Sequence, residues 1–491
     1  MLKYNSTYCK RSVRGKNRTR DLAISQNRTE YFPRTVRYVD YLFTPNWIEF
    51  QAKGDLVYLH GLGNSVLIVN SLSSVQELFE KRWNIYSHRP IFTAVGELMG
   101  VDQVALMPYG EEWREHRKIT YAALNPRAVK AWHRAQEDLA AIMIKDILER
   151  SDEFSRHIRL TASRIVLYIG YGVFASDMED PYIEDNEETM DIIGRAMTPG
   201  AFLCDLISIL KYSPSWVPFQ RQIKKSKEVI DRTVYQPYID VKDQVERGTA
   251  SPSLATNLIT AGDSDPEIEH RNTWAVSSLY GAGTKTTAST VHTFVLAMAL
   301  NPAVQKQAQS EIDNVVGTNR MPTISDMPNL PYVRALIKET LRWHPTRIIQ
   351  SKITIPRRTA QDDSYGNYFI PKNTIVFPNI WAISRETPDP ENFDPDRFLG
   401  SDAPADPFNY AFGVGRRICT GVYLAENSVF AMISGILASF DIAPVAGMTL
   451  VPKFTQKHVS SPEPFECSIT SRSSGRVELI ARRATEVIIG T

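Results

Sequence analysis

Cysteine is scarce in this sequence, and its few residues are far apart. The 491 residues contain four of them, Cys9, Cys204, Cys419 and Cys467. This spacing forms no paired pattern, so we expect neither a disulfide framework nor a zinc cluster. The composition favours a reducing compartment, in which a functional cysteine would act as a single thiol.

An excess of charge of either sign is also missing. Lysine and arginine total 56 residues and aspartate and glutamate 55, which leaves a net charge of +1. A chain without a large net charge has no overall attraction to nucleic acid, so we predict no nucleic-acid partner. Any partner must be inferred from local features.

Long hydrophobic runs are absent by inspection. We find no apolar segment of about 18 residues or more, the length that a membrane-spanning helix requires. The sequence therefore predicts neither a signal peptide nor a transmembrane anchor. The start of the chain is basic, with seven lysines and arginines before Asp21. We predict a disordered basic segment at residues 1–34 and one folded domain at residues 35–491.

The pattern of the folded part predicts a mainly α-helical protein with a small β-rich lobe. Two short β-type runs at residues 56–60 and 65–69 favour a hairpin, and further strands are predicted at 368–371 and 374–378. Long helices are predicted at 272–300 and 331–344. The first is expected to end there because Asn301 precedes a proline, which disfavours helical backbone.

One cysteine occupies a reactive setting. Cys419 follows a glycine-rich turn and two arginines, and a largely apolar run at 422–440 that is compatible with a helix comes directly after it. A cysteine just before a helix is expected to favour the thiolate, which binds soft metals. Gly415 and Gly421 allow close approach of the backbone. The alternative interpretation is a buried, unreactive cysteine.

A second glycine-containing stretch lies at residues 281–287, inside the long predicted helix. It partly matches a phosphate-binding loop, but the glycine required before Lys285 is Thr284. A nucleotide-binding protein is therefore a weaker alternative. It would predict stabilisation of the protein by ATP.

The spacing of Phe412, Gly415, Arg417, Cys419 and Gly421 resembles the haem-binding loop of the cytochrome P-450 superfamily. In that family the cysteine thiolate is the axial ligand of haem iron. The resemblance implies the cytochrome P-450 fold, haem b (iron protoporphyrin IX) as cofactor, and Cys419 as the metal ligand.

Four further motifs resemble the same family. Trp113 and Arg117, which share one helical face, are similar to the pair that holds haem propionates. Arg417 is implied in the same task, and Arg357 stands where relatives often carry a histidine. Glu339, Arg342 and Arg397 resemble a triad that braces the region of the cysteine loop.

The run around Gly283 resembles the oxygen-activation helix of the family. There a small residue and Gly283 make room for dioxygen, and Thr286 donates a hydrogen bond to it and passes protons. Lys285 departs from the pattern, because the family usually has an acid before the threonine. A lysine relays a proton only if its pKa is brought down toward neutral. We therefore expect either delivery through water and Thr286 or poor coupling.

The implied activity is that of a monooxygenase acting on a hydrophobic small molecule of the secondary-metabolite or xenobiotic type. The local pattern is most similar to fungal microsomal members that oxidise polycyclic or polyketide-type compounds. The predicted pocket walls are residues 91–107, 202–219, 276–282 and 346–353, which are largely apolar. Electrons are expected from an NADPH–cytochrome P-450 reductase that docks near Arg416, because the chain carries no recognisable flavin or nicotinamide domain.

An aromatic loop followed by lysines suggests contact with a bilayer through Trp216 and Phe219. A pocket lid is the alternative for this loop. The family resemblance implies the cytoplasmic face of the endoplasmic reticulum. Two other functions remain open at this level: a haem-thiolate isomerase or dehydratase without external electrons, and a degenerate, non-catalytic haem protein.

Overall fold

The computed structural model describes residues 36–37, 54–61, 64–198, 200–262, 265–346, 355–455 and 459–487. The basic segment predicted at 1–34 lies outside these residues. So does part of the predicted pocket wall, residues 347–353.

Helices make up most of the described chain, as predicted. In chain order they are α1 Leu72–Gln76, α2 Trp83–Tyr86, α3 Glu111–Leu124, α4 His133–Glu149, α5 Phe154–Tyr171, α6 Pro181–Ala196, α7 Pro218–Glu246, α8 Leu254–Thr260, α9 Pro266–Leu300, α10 Pro302–Val315, α11 Pro331–Trp343, α12 Ile380–Ile383, α13 Val422–Ser439 and α14 Ser474–Thr485. Several begin at a proline, whose fixed backbone angle suits the first helical position and whose missing N–H is not needed there.

Helix α9 runs through the interior of the protein. It begins at Pro266, earlier than predicted, because the Asp265 side chain caps it by accepting a hydrogen bond from the Glu267 N–H. It ends at Leu300, as predicted from the proline that follows Asn301. Helix α11 likewise agrees with its prediction to within one residue.

The strands are β1 Val36–Arg37, β2 Leu56–Gly61, β3 Asn64–Val69, β4 Arg357–Arg358, β5 Asp363–Tyr365, β6 Tyr368–Ile370, β7 Ile375–Pro378, β8 Phe440–Pro444 and β9 Cys467–Ser471. The predicted hairpin is confirmed, with β2 and β3 antiparallel and Leu56 opposite Val69. Five strands form one sheet in the order β1-β2-β3-β7-β4, and two antiparallel pairs, β5-β6 and β8-β9, stand apart. The predicted β-rich lobe is therefore real but divided.

Two apolar cores support the cysteine loop from different sides. The larger one packs α4, α5, α9, α10, α11 and α13 together. The smaller one lies under the five-stranded sheet and includes Leu67, Phe79 and Val376 together with Val414 from the cysteine loop. The loop is thus held between the sheet and the helical mass.

Helix α13 is the exception to the expectation that no long apolar segment exists. Within the described residues it is the one helix long and apolar enough to cross a membrane. The expectation was therefore wrong, because this helix of 18 residues reaches the length that a membrane span requires. However, 78% of the helix is buried inside the protein, as in the core helix of a globular domain.

Candidate functional site

The cysteine loop is held by close backbone packing. The Cys419 N–H donates to the Phe412 carbonyl at 2.8 Å. Gly415 has a φ of +63°, and a Cβ added there would lie 2.2 Å from the Phe79 carbonyl oxygen. Only glycine fits this position. A close approach of the backbone was predicted at Gly415. The structure shows that the approaching segment is the backbone of Phe79.

The thiol of Cys419 lies at the end of this loop, just before α13. Its side chain is accessible, yet the surrounding protein raises the pKa of the thiol through burial. The Gly421 N–H and the Arg117 guanidinium act in the opposite direction. The helix start was expected to lower this pKa, whereas desolvation by the surrounding protein acts against that lowering and is the larger effect. A coordinated metal ion would itself deprotonate the thiol.

Residues predicted from separate motifs meet beside this cysteine. Arg117 donates to the carbonyl of Ile418 at 2.7 Å, one residue before the thiol. The guanidinium groups of Arg417 and Arg117 lie 4.6 Å and 5.6 Å from the centre of the Trp113 ring. The structure therefore brings Trp113, Arg117 and Arg417 into one cluster.

Arg417 also forms hydrogen bonds to the backbone of the segment 87–107, which precedes α3. Its guanidinium donates to the carbonyls of Ser87 and Met107, each at 2.9 Å, and to that of Val104 at 3.3 Å. These bonds hold both ends of the segment 87–107 against the cysteine loop.

Arg357 lies on the opposite side of the loop. It is buried, its guanidinium lies 4.3 Å from the centre of the Phe79 ring, and it donates to the Val414 carbonyl. Its second terminal nitrogen, Nη1, is buried without a hydrogen-bond partner in the described chain. A buried, unpartnered cationic N–H is costly unless a ligand accepts from it.

Arg89, which was not predicted as a site residue, belongs to the same group. It is buried and donates to the carbonyls of Ala105, Ile355 and Pro356. The Tyr109 ring, also missed, packs 4.9 Å from that of Trp113. The only available signal was an arginine and a proline at the start of an apolar segment.

The electrostatics of this cluster are unusual. Burial and repulsion from Arg417 lower the pKa of Arg357 to about 9. Burial and repulsion from Arg117 lower the pKa of Arg417 to about 9. Burial and repulsion from Arg417 and Arg357 lower the pKa of Arg89 well below its usual range. Guanidinium groups remain charged at neutral pH. Within the described residues, none of the four forms an ion pair with a carboxylate.

This donor set fits haem. A sulfur is available as a soft ligand for iron. Several buried arginines lack acidic partners, and the propionates of haem would supply carboxylates to pair with them. The unpartnered Nη1 of Arg357 is the clearest sign of a missing acceptor.

Helix α9 carries the predicted oxygen-handling residues. Between residues 272 and 299 its side chains are buried except at Ala282, Gly283, Lys285 and Thr286. The Thr286 hydroxyl donates to the carbonyl of Ala282 at 2.9 Å. One short stretch of an otherwise buried helix therefore borders open space.

Gly283 has a packing role that was not foreseen. A Cβ at this position would lie 2.4 Å from Val166 Cγ1 on α5. The space left by its missing side chain is thus occupied by a neighbouring helix, which corrects the expectation that this space is kept for dioxygen. Its backbone remains partly accessible.

Lys285 extends to helix α6. Its Nζ lies 2.5 Å from Asp191 Oδ1 and 3.3 Å from the Glu187 carbonyl oxygen. Residues 281–287 are helical throughout, which removes the phosphate-loop alternative because such a loop wraps its ligand with non-helical backbone.

The three residues of the predicted brace, Glu339, Arg342 and Arg397, meet in the structure. Glu339 receives two hydrogen bonds from Arg342, at 2.6 and 2.8 Å, and one from Arg397 at 3.2 Å. Glu339 and Arg342 are almost fully buried, at 0% and 1% side-chain exposure. The arginines also donate to the backbone of 384–394, including the carbonyls of Pro390 and Pro388. The triad thus anchors the strand-free segment that leads to the cysteine loop.

The predicted lid segment 202–219 lies mostly on the surface. Its exposed apolar side chains are Leu203, Leu206, Ile207, Ile209, Tyr212 and Trp216. Phe219, predicted to touch a bilayer with Trp216, instead packs into an apolar core with Phe202. The expectation that this whole segment lines a pocket was therefore wrong. Of the two aromatic residues expected at a bilayer, Trp216 is exposed at the surface and Phe219 is partly buried.

Comparisons with known proteins agree with this geometry. The sequence profile described as "Cytochrome P450" matches residues 45–468. "Cytochrome P450 monooxygenase COX2" of Coprinopsis cinerea is 38% identical over 442 residues, which cover 86% of this chain and 83% of that protein. "Tryptamine 4-monooxygenase" of Psilocybe cyanescens is 34% identical and covers 87% of this chain and 88% of the relative.

Solved structures support the same fold. A zebra fish cytochrome P450 with progesterone has a TM-score of 0.71 at 23% identity, covering 88% of this chain and 100% of that one. A second zebra fish cytochrome P450 structure, with abiraterone, has a TM-score of 0.70 at 22% identity and covers 87% and 99%.

Proposed function

This chain belongs to the cytochrome P450 family, and we propose that it inserts one oxygen atom of O2 into a hydrophobic small molecule with electrons from an NADPH-dependent reductase. Its relatives are named monooxygenases, and the family is a haem-thiolate one. The observation that carries the proposal is the single thiol of Cys419 beside buried arginines that lack acidic partners.

The residues of the site divide into those that hold the cofactor and those that serve the reaction. Cys419 would ligate iron, and Trp113, Arg117, Arg357 and Arg417 would hold the propionates. When bound, haem supplies the activation of O2, which a thiolate ligand favours by pushing electron density toward O–O cleavage.

Thr286 is proposed to hold and pass a proton at its Oγ1 atom. In the structure this hydroxyl uses its proton to bond the Ala282 carbonyl, and the side chain is partly accessible. A hydroxyl rotates freely and both donates and accepts. It is therefore able to turn from the helix carbonyl toward the open space while water replaces the proton it gives. The backbone of Gly283 borders the same space.

The substrate is proposed to be a hydrophobic compound of the secondary-metabolite type, because the chain is similar over most of its length to fungal monooxygenases. The electron donor is proposed to dock beside Arg416, which is exposed over the Trp83 ring at 4.7 Å near the cysteine loop.

Replacing Thr286 by alanine tests the proposed reaction. We expect NADPH consumption to continue while product falls by about a hundredfold or more, because a positioned acid–base group contributes about a hundredfold to ten-thousandfold to the rate. The missing product should appear as peroxide. The measurement is product, peroxide and NADPH in one reconstituted reaction with the reductase.

Thr293→Ala is the matched control, because Thr293 makes the same bond to a carbonyl one turn earlier but is fully buried. It should leave the ratio of product to NADPH unchanged. Product formed without reductase or NADPH would instead identify an isomerase or dehydratase, and absence of any product or NADPH use would favour a non-catalytic haem protein.

We also propose that the protein contacts the cytoplasmic face of the endoplasmic reticulum membrane through the exposed apolar side chains of 203–216. Ile209, Tyr212 and Trp216 are 72%, 75% and 73% exposed. Lysines at 224 and 225 follow at the start of α7, where they suit anionic headgroups.

The double variant Ile209→Ser/Trp216→Ser should weaken binding to phosphatidylcholine–phosphatidylserine vesicles at least about tenfold, because each buried side chain of this size contributes about 1.5 kcal/mol or more. Met448→Ser/Val451→Ser is the control, since these side chains are 58% and 57% exposed on another part of the surface. Equal loss of vesicle binding in both variants in a flotation assay would contradict the assignment.

A further inference from the structure

Helix α6 is attached to α9 along the stretch that carries the accessible residues. The Tyr280 hydroxyl donates to the Tyr182 carbonyl at 2.8 Å, and Asn186 Nδ2 lies 3.4 Å from Thr284 Oγ1. One turn further along α6, the Sδ atom of Met190 lies 3.0 Å from the position that a Cβ of Gly281 on α9 would occupy. Positions spaced by four on α6 therefore follow one side of α9.

An ion pair completes this attachment next to Thr286. Lys285, the residue before Thr286, places Nζ 2.5 Å from Asp191 Oδ1, and its other contact is the Glu187 carbonyl. Both acceptors belong to α6. The side chains of Lys285 and Asp191 are 25% and 51% exposed, so water and salt reach the pair.

We propose that the Lys285–Asp191 pair is a latch that holds α6 over the Thr286 segment of α9, and that Lys285 is a positioning residue and not a proton donor. The proposal rests on the proposed function in so far as Thr286 is the proton-handling group. It explains why an acid is absent before the threonine: the lysine is used to connect two helices.

The latch affects the site because α6 also packs against the segment 91–107. Ile192, Ile193 and Ala196 of α6 share a core with Ala94 and Val95 of that segment. Release of α6 would therefore loosen the covering of the site and admit water beside Thr286. More water at the site diverts reducing equivalents to peroxide without changing how Cys419 binds the cofactor.

Hydrogen exchange of the haem-loaded, full-length protein tests the latch independently of turnover. We expect Lys285→Gln and Asp191→Asn each to speed amide exchange in residues 181–196 by about twofold to fivefold, the range for a partly exposed ion pair. High salt should produce the same change in the wild type. The charge-exchanged double variant Lys285→Asp/Asp191→Lys should restore slow exchange.

Lys338 and Asp406 form the matched control pair, at 2.7 Å with 23% and 35% exposure. Lys338→Gln should leave exchange in 181–196 and the peroxide fraction unchanged. The latch is wrong if Lys285→Gln lowers product per NADPH and alters the solvent isotope effect while exchange in 181–196 stays as in the wild type. That outcome would make Lys285 a proton donor.

The two proposals fail separately. If Thr286→Ala has no effect on coupling but exchange follows the predicted pattern, the latch stands and the role of Thr286 falls. If exchange is unchanged in every latch variant and at high salt, the latch is rejected whatever Thr286→Ala does. The carbon monoxide spectrum of each variant shows that its haem site is intact.

Discussion

Cys419→Ser is expected to abolish the strongly red-shifted Soret band of the reduced carbon monoxide complex and to lower turnover by more than about a hundredfold. Even residues that only support a metal ligand cost about tenfold to a hundredfold when changed, and Cys419 is the proposed ligand itself. Serine keeps the shape but is a hard, weakly acidic donor that does not push electron density toward the metal.

Cys467→Ser is the matched control. Cys467 lies on β9, away from the loop, and burial raises the pKa of its thiol to about 12, so it stays protonated. This variant should keep the full spectrum and activity. A red-shifted band that persists in Cys419→Ser would remove the axial assignment, and its loss in both variants would indicate general damage to the fold.

The second large effect is expected from Glu339→Gln. The substitution keeps the size of the side chain and removes its charge, which leaves Arg342 buried without its anion. Loss of one partner of a buried ion pair costs about 3–5 kcal/mol of unfolding free energy. Denaturant unfolding should show this loss, and haem should dissociate at lower denaturant than in the wild type.

Glu391→Gln provides the comparison, because Glu391 also pairs with a buried arginine, Arg385, at 3.4 Å, but is itself 81% exposed. Water replaces its charge, so we expect a change of less than about 1 kcal/mol. If the two variants unfold at the same denaturant concentration, Glu339 is not a structural brace and its burial has no energetic consequence.

Local patterns were enough to predict much of the architecture. The β2–β3 hairpin, the end of α9 before a proline and the start of α13 after Gly421 depend on residues close together in the chain. The same holds for the distance of three between Glu339 and Arg342, which brings them together on one helix. Recognition of the family came from short motifs of this kind.

Directions of side chains were harder to predict. Phe219 and Trp216 look alike in sequence, but one packs into a core and the other is exposed. Lys285 looked like a faulty proton relay until Asp191, far away in sequence, was seen beside it. The pKa of Cys419 was expected to fall because only the nearby helix start was visible.

The order of residues was sufficient to predict the long helices α9 and α11, the hairpin and the family, because propensity, capping and motif spacing act over a few positions. The assembly of Arg89, Arg117, Arg357 and Arg417 around the Cys419 thiol was not readable in this way. Their charges interact only after segments hundreds of residues apart are packed together, and burial then determines the pKa values. The reason that Gly415 must be glycine likewise arises only when the backbone of Phe79 is folded against it.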